Sequence, residues 1–400
     1  MTGQRCSCGR IHPTGVTQIH VYPGLLKDWM KHVDLNELGR SCLLVADDNT
    51  WSVVGEQVSR QLSDVKLSVN KLVFADEGKG TLVADERSLG RVLMAMESQP
   101  DFLIAIGSGT ISDLVRYTAT QAKIPYYIIA TAPSMDGYAS SVAPLICRGK
   151  KRSYKASAPQ GIFADVDILA SAPSEMIQAG IGDLLGKITA RADWQLAHLL
   201  TGEYFCPEVQ QKVNGAVQET IAAMGNDLNA RLFIEKLILA LVDSGQAITA
   251  VGNSRPASGS EHMLAHYWEV KALESQRTLG LHGQKVGLAT ELVLNLYAKV
   301  SERVASRGET ETMQLFRQVT RDMPTVGSYR RLLAKSGISF HPLKLCIPLD
   351  WIRESLLHEA IFSRDRYTVL RYAYERGWLA EIVEEIIQEI PKTEPNPVCE

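Results

Sequence analysis

The feature that most constrains the fold is a series of short apolar runs in the first part of the chain. The runs lack polar alternation, which is typical of strands buried on both faces of a parallel sheet. Helix-like stretches lie between them, at Val83–Met96 and Ile111–Gln121. This alternation predicts an open α/β sheet with helices on both faces. The runs are Ser41–Ala46, Leu72–Ala75, Phe102–Ile106 and Tyr126–Ala130.

From about Ser174 the chain changes to long amphipathic segments with few β-branched runs, which predicts an all-helical second half. Because 400 residues exceed the usual size of one hydrophobic core, two domains are also expected from length. We place the boundary at Ala170–Pro173, which gives an α/β domain of residues 1–172 and a helical domain of residues 173–400. The predicted helices are Ile181–Leu200, Pro207–Met224, Arg231–Ala250, His262–Leu273, Gly283–Val300, Thr310–Asp322, Val326–Lys335, Leu349–Ser363 and Tyr367–Arg376.

The composition excludes several classes of function. A net charge of -3 leaves no basic excess to neutralise nucleic-acid phosphates. No uncharged apolar run approaches the ~18 residues of a membrane span, and the N-terminal residues lack the apolar stretch of a secretory signal. The seven cysteines are scattered, which favours a reducing cytoplasm over a disulfide framework. We therefore expect a cytoplasmic protein that binds no nucleic acid and inserts into no membrane.

The N-terminal stretch Cys6-Ser-Cys8-Gly-Arg-Ile-His12 contains two thiols and an imidazole that could ligate zinc. It supplies at most three ligands, whereas structural zinc usually takes four. We therefore interpret it as a flexible terminus with incidental cysteines, and a zinc site remains the alternative.

A glycine-rich loop indicates a phosphate site. The predicted strand Phe102–Ile106 runs into Gly107-Ser-Gly109-Thr110, and a helical pattern begins at Ile111. Glycines let the backbone approach a phosphate, and the helix start offers free N–H groups and a positive dipole end. The dinucleotide-binding fingerprint would require a third glycine where Ser112 stands, so an ordinary strand-to-helix turn remains an alternative.

Two further segments are expected near this loop, because ligands of open sheets collect at the carboxyl ends of strands. Thr131–Ser134 follows the next predicted strand and could form a wall of the same cleft. Asp47 ends the strand Ser41–Ala46, and its carboxylate could accept hydrogen bonds from a ribose while repelling a 2′-phosphate. That position would favour NAD over NADP, although acidic residues are common at strand ends.

Three separate stretches carry residues that could bind a catalytic metal. Asp183 opens a predicted helix, where it could equally be an N-terminal acid favoured by the helix dipole. His262 and His266 are four residues apart and share a helical face, and His282 lies at a loop-to-helix junction. One aspartate with two or three histidines suits a divalent metal that keeps an open position. Spacing alone does not decide which histidines bind it.

Five motifs in register resemble one family, the glycerol-1-phosphate dehydrogenases, a branch of the iron-containing alcohol dehydrogenase and dehydroquinate synthase-like superfamily. The resemblance covers nearly the whole chain, and the N-terminal CSCG stretch resembles the bacterial branch in particular. The motifs are Gly107–Asp113, Ala132–Gly137, Gly180–Asp183, Gly259–His262 with His266, and His282–Gly287.

The resemblance implies a Rossmann-like domain followed by a helical domain that binds metal and substrate, with the active site between them. It implies reversible reduction of dihydroxyacetone phosphate to sn-glycerol 1-phosphate by NADH or NADPH, in phospholipid metabolism, by a homodimer. It places one divalent metal (nickel, zinc or iron) on Asp183, His262 and His282, and catalytic substrate contacts on Asp136 and His266. Besides Asp47, the residues implied at the nucleotide are Gly107, Gly109, Thr110, Ile111, Ser112, Asp113, Thr131, Ala132, Pro133, Ser134 and Ser140.

These residue types fit the implied chemistry, since a metal can polarise a carbonyl and a nearby imidazole can orient a hydroxyl or relay a proton. The densest basic cluster, Lys150, Lys151, Arg152 and Lys155, could hold a substrate phosphate, but we interpret it as a solvated basic loop. The alternatives within the same fold are a glycerol or polyol dehydrogenase and a dehydroquinate synthase-like cyclase. A non-catalytic regulator would have no need of an open metal position.

Overall fold

The computed structural model describes residues 5–13, 15–33, 39–75, 82–359 and 366–391. Contacts within these residues divide the chain into two compact units. The first comprises Pro13–Ile177 and Leu228–Gly252, and the second comprises Gln178–Asp227 with residues 5–12 and 253–391. Leu228–Gly252 thus packs with the first unit although it follows part of the second in sequence. The domain boundary between residues 172 and 173 stays a prediction.

A six-stranded sheet forms the first unit, and all its neighbouring strands are parallel. The strand order is β1-β8-β5-β4-β2-β3, and a separate antiparallel pair is formed by β6 and β7. The predicted α/β fold class is confirmed, and every residue of the central strands β4 and β5 is buried. The strands are β1 Gln18–Tyr22, β2 Ser41–Asp47, β3 Ser68–Phe74, β4 Phe102–Gly107, β5 Tyr126–Ala130, β6 Val142–Cys147, β7 Lys150–Lys155 and β8 Gly161–Asp165.

The described chain also contains helices and short helical segments. The short 3₁₀ and π segments are Leu25–Lys27, Trp29–His32, Trp51–Gly55, Met96–Ser98, Gly137–Ala139 and Ser355–Glu359. The α-helices are α1 Asp48–Thr50, α2 Glu56–Asp64, α3 Glu86–Ala95, α4 Gly109–Ala122, α5 Val166–Ala170, α6 Ser174–Thr201, α7 Pro207–Ala223, α8 Arg231–Val251, α9 Ser260–Glu274, α10 His282–Ser306, α11 Thr310–Thr320, α12 Val326–Lys335, α13 Leu349–Glu354, and the last two, Val369–Glu375 and Leu379–Glu389.

The core of the first unit lies against the sheet. Val58 and Leu62 of α2 join Trp29 in a buried cluster with the strand residues Leu44 and Ile104. Burying a large apolar side chain contributes roughly 1.5–3 kcal/mol, so this layer fixes the central strands. The carboxyl ends of β2, β4 and β5 consequently meet at one edge of the sheet, because these strands are parallel neighbours.

The second unit is helical, as predicted: within residues 178–227, 253–359 and 366–391, every named element is a helix. α12 begins and ends at the predicted residues, and α13 covers the start of the predicted Leu349–Ser363. Residues 360–363 of that prediction lie outside the described residues. Among the described helices, none has the combination of length and apolar character needed to cross a membrane.

The basic cluster is a strand rather than the predicted loop. Lys150, Lys151, Arg152 and Lys155 belong to β7, which pairs with β6 in an antiparallel hairpin. Lys150, Arg152 and Lys155 are exposed, so the prediction of a solvated basic segment holds for them. The loop prediction failed because a tight turn at Arg148 and Gly149, both with positive φ, allows the strand to begin at once.

Candidate active site

Three predicted metal ligands converge in the second unit. Asp183 comes from α6, His262 from the start of α9, and His282 is the first residue of α10. One ligand atom from each lies within 4.8 Å of the others. Asp183 and His262 are buried, whereas the side chain of His282 is 29% exposed and leaves one side of the group accessible. One carboxylate and two imidazoles with an accessible side fit a catalytic divalent metal.

A carboxylate lies at Nδ1 of each of the two imidazoles, His262 and His282. Nδ1 of His262 lies 2.8 Å from Oε1 of Glu261, and Nδ1 of His282 lies 2.8 Å from Oε1 of Glu269. When each carboxylate accepts the Nδ1 proton, the Nε2 lone pair becomes available to a metal. Nε2 of His262 lies 3.3 Å from Oδ1 of Asp183, so the two candidate ligand atoms face each other.

A buried lysine lies beside the candidate carboxylate ligand, Asp183. Nζ of Lys187 donates to Oδ1 of Asp183 at 2.7 Å and to the carbonyl oxygen of Ala257 at 3.1 Å. Burial alone would raise the pKa of Asp183, but the Lys187 ammonium and the neighbouring imidazoles lower it far below its usual value. Asp183 is therefore ionised and able to act as a ligand.

The pKa of His262 reflects the same charges. Burial acts to lower this pKa, but hydrogen bonds to Asp183 and Glu261 outweigh burial and raise it above its usual value. Burial acts to raise the pKa of Glu261, but its interactions with His262 and its hydrogen bonds from Gly259 and Thr189 together lower this pKa below its usual value. A cation that binds here would replace the proton favoured by these carboxylates, since ligand imidazoles bind metal in the neutral form.

His266 lies one turn along α9 from His262. Its ring centroid is 5.4 Å from that of His282 and 6.2 Å from that of His262. His266, Glu269 and His282 form a second group whose ligand atoms lie within 4.8 Å of one another. Glu269 already faces Nδ1 of His282 and accepts from Nζ of Lys285 at 3.1 Å, which suits an orienting carboxylate better than a ligand.

The glycine loop lies in the first unit, at the edge where the central strands end. β4 ends at Gly107, and α4 begins at Gly109, earlier than the predicted Ile111. The first N–H groups of a helix have no partner within it, so the amides of Gly109, Thr110 and Ile111 could bind a phosphate. The side chain of Ile111 is buried, so it could contribute only through its backbone amide, whereas the amide of buried Ser112 already donates to the carbonyl oxygen of Ser108 at 3.0 Å.

The remaining predicted nucleotide residues follow β5 and the short helix Gly137–Ala139. Thr131, Ala132, Pro133 and Ser134 are buried, and the amide of Thr131 donates to the carbonyl oxygen of Gly107 at 3.3 Å. This bond joins the two loops at the carboxyl ends of β4 and β5. Ser140 accepts at Oγ from the amide of Val142 at 3.2 Å.

Asp113 and Asp136 are held by partners within the first unit. Fully buried Arg116 pairs with Asp113 and also donates to the carbonyl oxygen of Gly137. Burial raises the pKa of Asp113 to about 6, although Arg116 and Lys151 oppose the shift. Oδ2 of Asp136 accepts from the hydroxyl of Ser244 on α8 at 2.9 Å.

Asp47 lies at the carboxyl end of β2, as predicted, and its side chain caps α1. Oδ1 of Asp47 accepts from the amide of Thr50 at 2.8 Å, while Oγ1 of Thr50 accepts from the amide of Asp47 at 3.1 Å. This reciprocal pair is a capping arrangement that stabilises a helix start. Asp47 therefore has a structural role as a helix cap, and a ribose contact would add to it.

Sequence reasoning missed the residues that contact the candidate ligands. Lys187 follows Asp183 by one helical turn, and Glu269 follows His262 by two turns on α9. Both spacings place the residues on the face of a known candidate, so the i, i+4 and i, i+7 rules could have identified them. Glu261 adjoins His262 in sequence, and only the folded helix shows that its carboxylate reaches Nδ1.

Comparison with known proteins agrees with this fold. The iron-containing alcohol dehydrogenase family profile matches residues 21–173. Glycerol dehydrogenase from Schizosaccharomyces pombe superposes with a TM-score of 0.66 over 96% of this chain and 94% of that one, at 19% identity. The fold is thus that of the iron-containing alcohol dehydrogenase class of oxidoreductases.

Two relatives identify the family within this class of oxidoreductases. The glycerol-1-phosphate dehydrogenase (NAD(P)+) of Bacillus licheniformis is 34% identical over 94% of this chain and 93% of its own length. The protein of the same name from Halalkalibacterium halodurans is 36% identical over 82% of this chain and 84% of its own length. The chain belongs to the glycerol-1-phosphate dehydrogenase family, which confirms the resemblance read from the motifs.

Proposed function

We propose that this chain catalyses the reversible reduction of dihydroxyacetone phosphate to sn-glycerol 1-phosphate with NADH or NADPH. The observation that carries the proposal is the convergence of Asp183, His262 and His282 in a chain that aligns along most of its length with named glycerol-1-phosphate dehydrogenases. A polyol dehydrogenase or a cyclase of the same fold is not favoured, because the relatives at 33–36% identity over most of the chain share that one name.

The proposed cofactor sites divide between the two units. The nucleotide would lie on Gly107, on the first turn of α4 and on Thr131–Ser134, with Asp47 and Ser140 beside it. The metal would be held by Asp183, His262 and His282. When bound, a divalent metal supplies Lewis-acid polarisation of the ketone, and the reduced nicotinamide supplies hydride. Nickel, zinc and iron all suit this oxygen and nitrogen donor set.

The side chains beside these sites have proposed roles of their own. His266 lies one turn from His262, and the proposed metal site does not need it as a third imidazole ligand. It would instead hold a substrate hydroxyl or move a proton at one of its ring nitrogens. Asp136 would accept a hydrogen bond from a substrate hydroxyl. Both groups orient the substrate, and orientation can contribute several orders of magnitude in rate.

Three properties of the whole protein complete the proposal: the substrate is a small phosphorylated molecule, the protein acts in the cytoplasm, and it forms a homodimer. The dimer is testable by light scattering coupled to size-exclusion chromatography at several protein concentrations. A mass of one chain at all concentrations would contradict it.

The proposed reaction is tested by one spectrophotometric assay. Protein loaded with nickel, zinc or iron is mixed with NADH or NADPH and dihydroxyacetone phosphate, and nicotinamide absorbance is followed. We expect turnover with the phosphorylated ketone and little with dihydroxyacetone. A stereospecific sn-glycerol 3-phosphate dehydrogenase should fail to oxidise the product. Turnover of only the unphosphorylated ketone would contradict the proposed substrate. Oxidation of the product by the sn-glycerol 3-phosphate dehydrogenase would contradict the proposed stereochemistry.

Two matched variants separate the metal ligands from the substrate contact. His262→Ala should lose the metal held by the Asp183 group and, with it, activity. His266→Ala should keep metal near the wild-type amount while kcat falls. Metal analysis by mass spectrometry alongside the assay distinguishes the two. Full metal content in His262→Ala would remove that residue from the ligand set.

A further inference from the structure

Four metal-ligating side chains meet in the second unit apart from the Asp183 group. Sγ of Cys6 lies 3.5 Å from Sγ of Cys206, and Nε2 of His12 lies 3.4 Å from both Sγ of Cys8 and Sγ of Cys206. All four ligand atoms lie within 4.8 Å of one another. Cys206 therefore supplies the fourth ligand that the N-terminal stretch lacks.

The backbone around these residues is shaped to present them. The amide of Gly9 donates to the carbonyl oxygen of Cys6 at 2.9 Å, and the amide of Cys6 donates to the carbonyl oxygen of Arg10 at 3.0 Å. Gly9 has a φ of 82°, a left-handed conformation that glycine adopts without strain. This turn directs the two thiols of the stretch to the same side. Cys206, fully buried, precedes the first residue of α7.

A surrounding layer holds the cluster in place. The hydroxyl of Tyr204 lies 3.1 Å from Sγ of Cys8, and the carbonyl oxygen of Tyr204 accepts from the indole of Trp194 at 2.7 Å. The guanidinium of Arg10 stacks 3.4 Å from the centre of the Tyr204 ring, and the amide of Ser7 donates to Glu208 at 2.9 Å. Cys6 and His12 are buried, contrary to the expectation of a flexible terminus with incidental cysteines.

The spacing of the ligand atoms identifies the kind of site. A tetrahedral zinc ion, with Zn–S bonds of about 2.3 Å and a Zn–N bond of about 2.0 Å, separates its ligands by roughly 3.5–3.8 Å. The observed separations of 3.4–3.5 Å are close to that range. A disulfide would require sulfurs about 2.05 Å apart. Three thiols and one imidazole are a set typical of closed structural zinc sites.

We propose that Cys6, Cys8, His12 and Cys206 bind a structural zinc ion, separate from the catalytic metal. Three thiolates with one imidazole favour zinc over hard cations, whereas the carboxylate and imidazoles of the Asp183 group accept several divalent metals. The ion would fix the N-terminal residues 5–12 against the start of α7, linking cysteines 200 residues apart. Binding at such a site contributes directly to the stability of the folded chain.

The proposal is tested by counting zinc in the full-length protein grown with zinc and desalted. Mass spectrometry should find one zinc per chain that is lost in Cys206→Ser and in Cys8→Ser. The control Cys147→Ser, which removes a thiol from β6 in the first unit, should keep it. His262→Ala should keep it too, because that variant affects only the other group. Equal zinc in wild type and Cys206→Ser would overturn the proposal.

A second measurement on the wild-type chain remains decisive if the serine variants fold poorly. X-ray absorption at the zinc edge should show sulfur scatterers at about 2.3 Å with nitrogen at about 2.0 Å. Cobalt substitution should give an intense thiolate-to-cobalt charge-transfer band that His262→Ala retains. Zinc with only nitrogen and oxygen neighbours, or a Cys6–Cys206 disulfide in the native chain found by peptide mapping, would overturn it.

Discussion

Gly182 and Gly283 bring the backbones of α6 and α10 into direct contact beside the proposed metal ligands. A Cβ atom at Gly182 would lie 2.1 Å from the carbonyl oxygen of Gly283, and one at Gly283 would lie 1.8 Å from that of Ala179. Gly182 precedes Asp183, and Gly283 follows His282. The contact of these two glycines therefore fixes the separation of two proposed ligands.

Replacing Gly283 with alanine should lower both stability and metal content. The added methyl meets backbone that can move only if the helices part, so we expect a loss at the upper end of the roughly 1–3 kcal/mol typical of overpacking. Urea unfolding and metal analysis measure the two effects. Gly215→Ala on α7 is the control, since its Cβ would meet nothing within 4 Å. Alanine there should be neutral or stabilise by about 0.5–1 kcal/mol. Wild-type metal content in Gly283→Ala would contradict the prediction.

Replacing Lys187 with methionine should make the stability of the folded protein depend more strongly on bound metal. Without the ammonium, buried Asp183 loses its strongest favourable charge interaction in the metal-free protein, and breaking a buried ion pair typically costs about 3–5 kcal/mol. A bound cation would supply that charge, so the metal-loaded form should lose less. Thermal unfolding with and without chelator should show a larger metal-induced rise in Tm than in wild type.

The control for this variant is Lys299→Met. Lys299 is also largely buried and pairs with Glu385 and Glu389, away from the ligands. Its replacement should lower Tm equally with and without metal. An equal loss in both forms of Lys187→Met would show that its ammonium does not substitute for the cation.

Glu261→Gln should weaken metal binding without removing any ligand. The amide keeps the shape of the side chain but loses the negative charge that holds Nδ1–H of His262. Loss of such an outer partner typically lowers metal affinity about 10–100-fold. Competition with a chromophoric chelator measures the change. Glu291→Gln, which removes a surface ion pair with Arg330, should leave metal affinity unchanged. Unchanged affinity in Glu261→Gln would mean that this carboxylate does not tune the ligand.

Asp47→Asn should shift cofactor preference toward NADPH. Asparagine can still cap α1, so the local structure should persist, while the charge that would repel a 2′-phosphate is removed. We expect the ratio of kcat/KM for NADPH over NADH to rise about tenfold, within the Coulomb energy of nearby charges at a protein surface. Asp48→Asn is the matched control. An unchanged ratio would leave Asp47 with its capping role alone.

The central strands could be predicted from sequence because burial on both faces leaves a continuous apolar run, as in Phe102–Ile106. β1 was missed because its polar residues, including Gln18 and His20, break such a run at the sheet edge. β8 is wholly buried, but Gly161 and Asp165 at its ends leave too short an apolar segment to distinguish from a loop.

The candidate ligands could be proposed from sequence, but their convergence could not. Asp183, His262 and His282 lie on three helices, and no local spacing relates them. Helical spacing could not decide whether His262 or His266 binds the metal. The resemblance to the family motifs assigned the metal to His262. Nothing in the sequence around Cys206 indicated a zinc ligand either, because Cys6, its neighbour in the cluster, lies 200 residues earlier in the chain. Long-range contacts of this kind depend on tertiary packing alone.

The return of α8 to the first unit has a consequence for synthesis of the chain. Gly245 of α8 packs against the backbone of Asp136, where a Cβ would lie 2.5 Å from the carbonyl oxygen. A ribosome makes the sheet well before it makes this helix, and nascent domains otherwise begin to fold as soon as they emerge. The surface around Asp136 and Ala139 must therefore stay uncovered until residue 251 has left the exit tunnel. Chains stalled before residue 228 should be cleaved by protease at this surface, whereas chains stalled well beyond residue 252 should be protected.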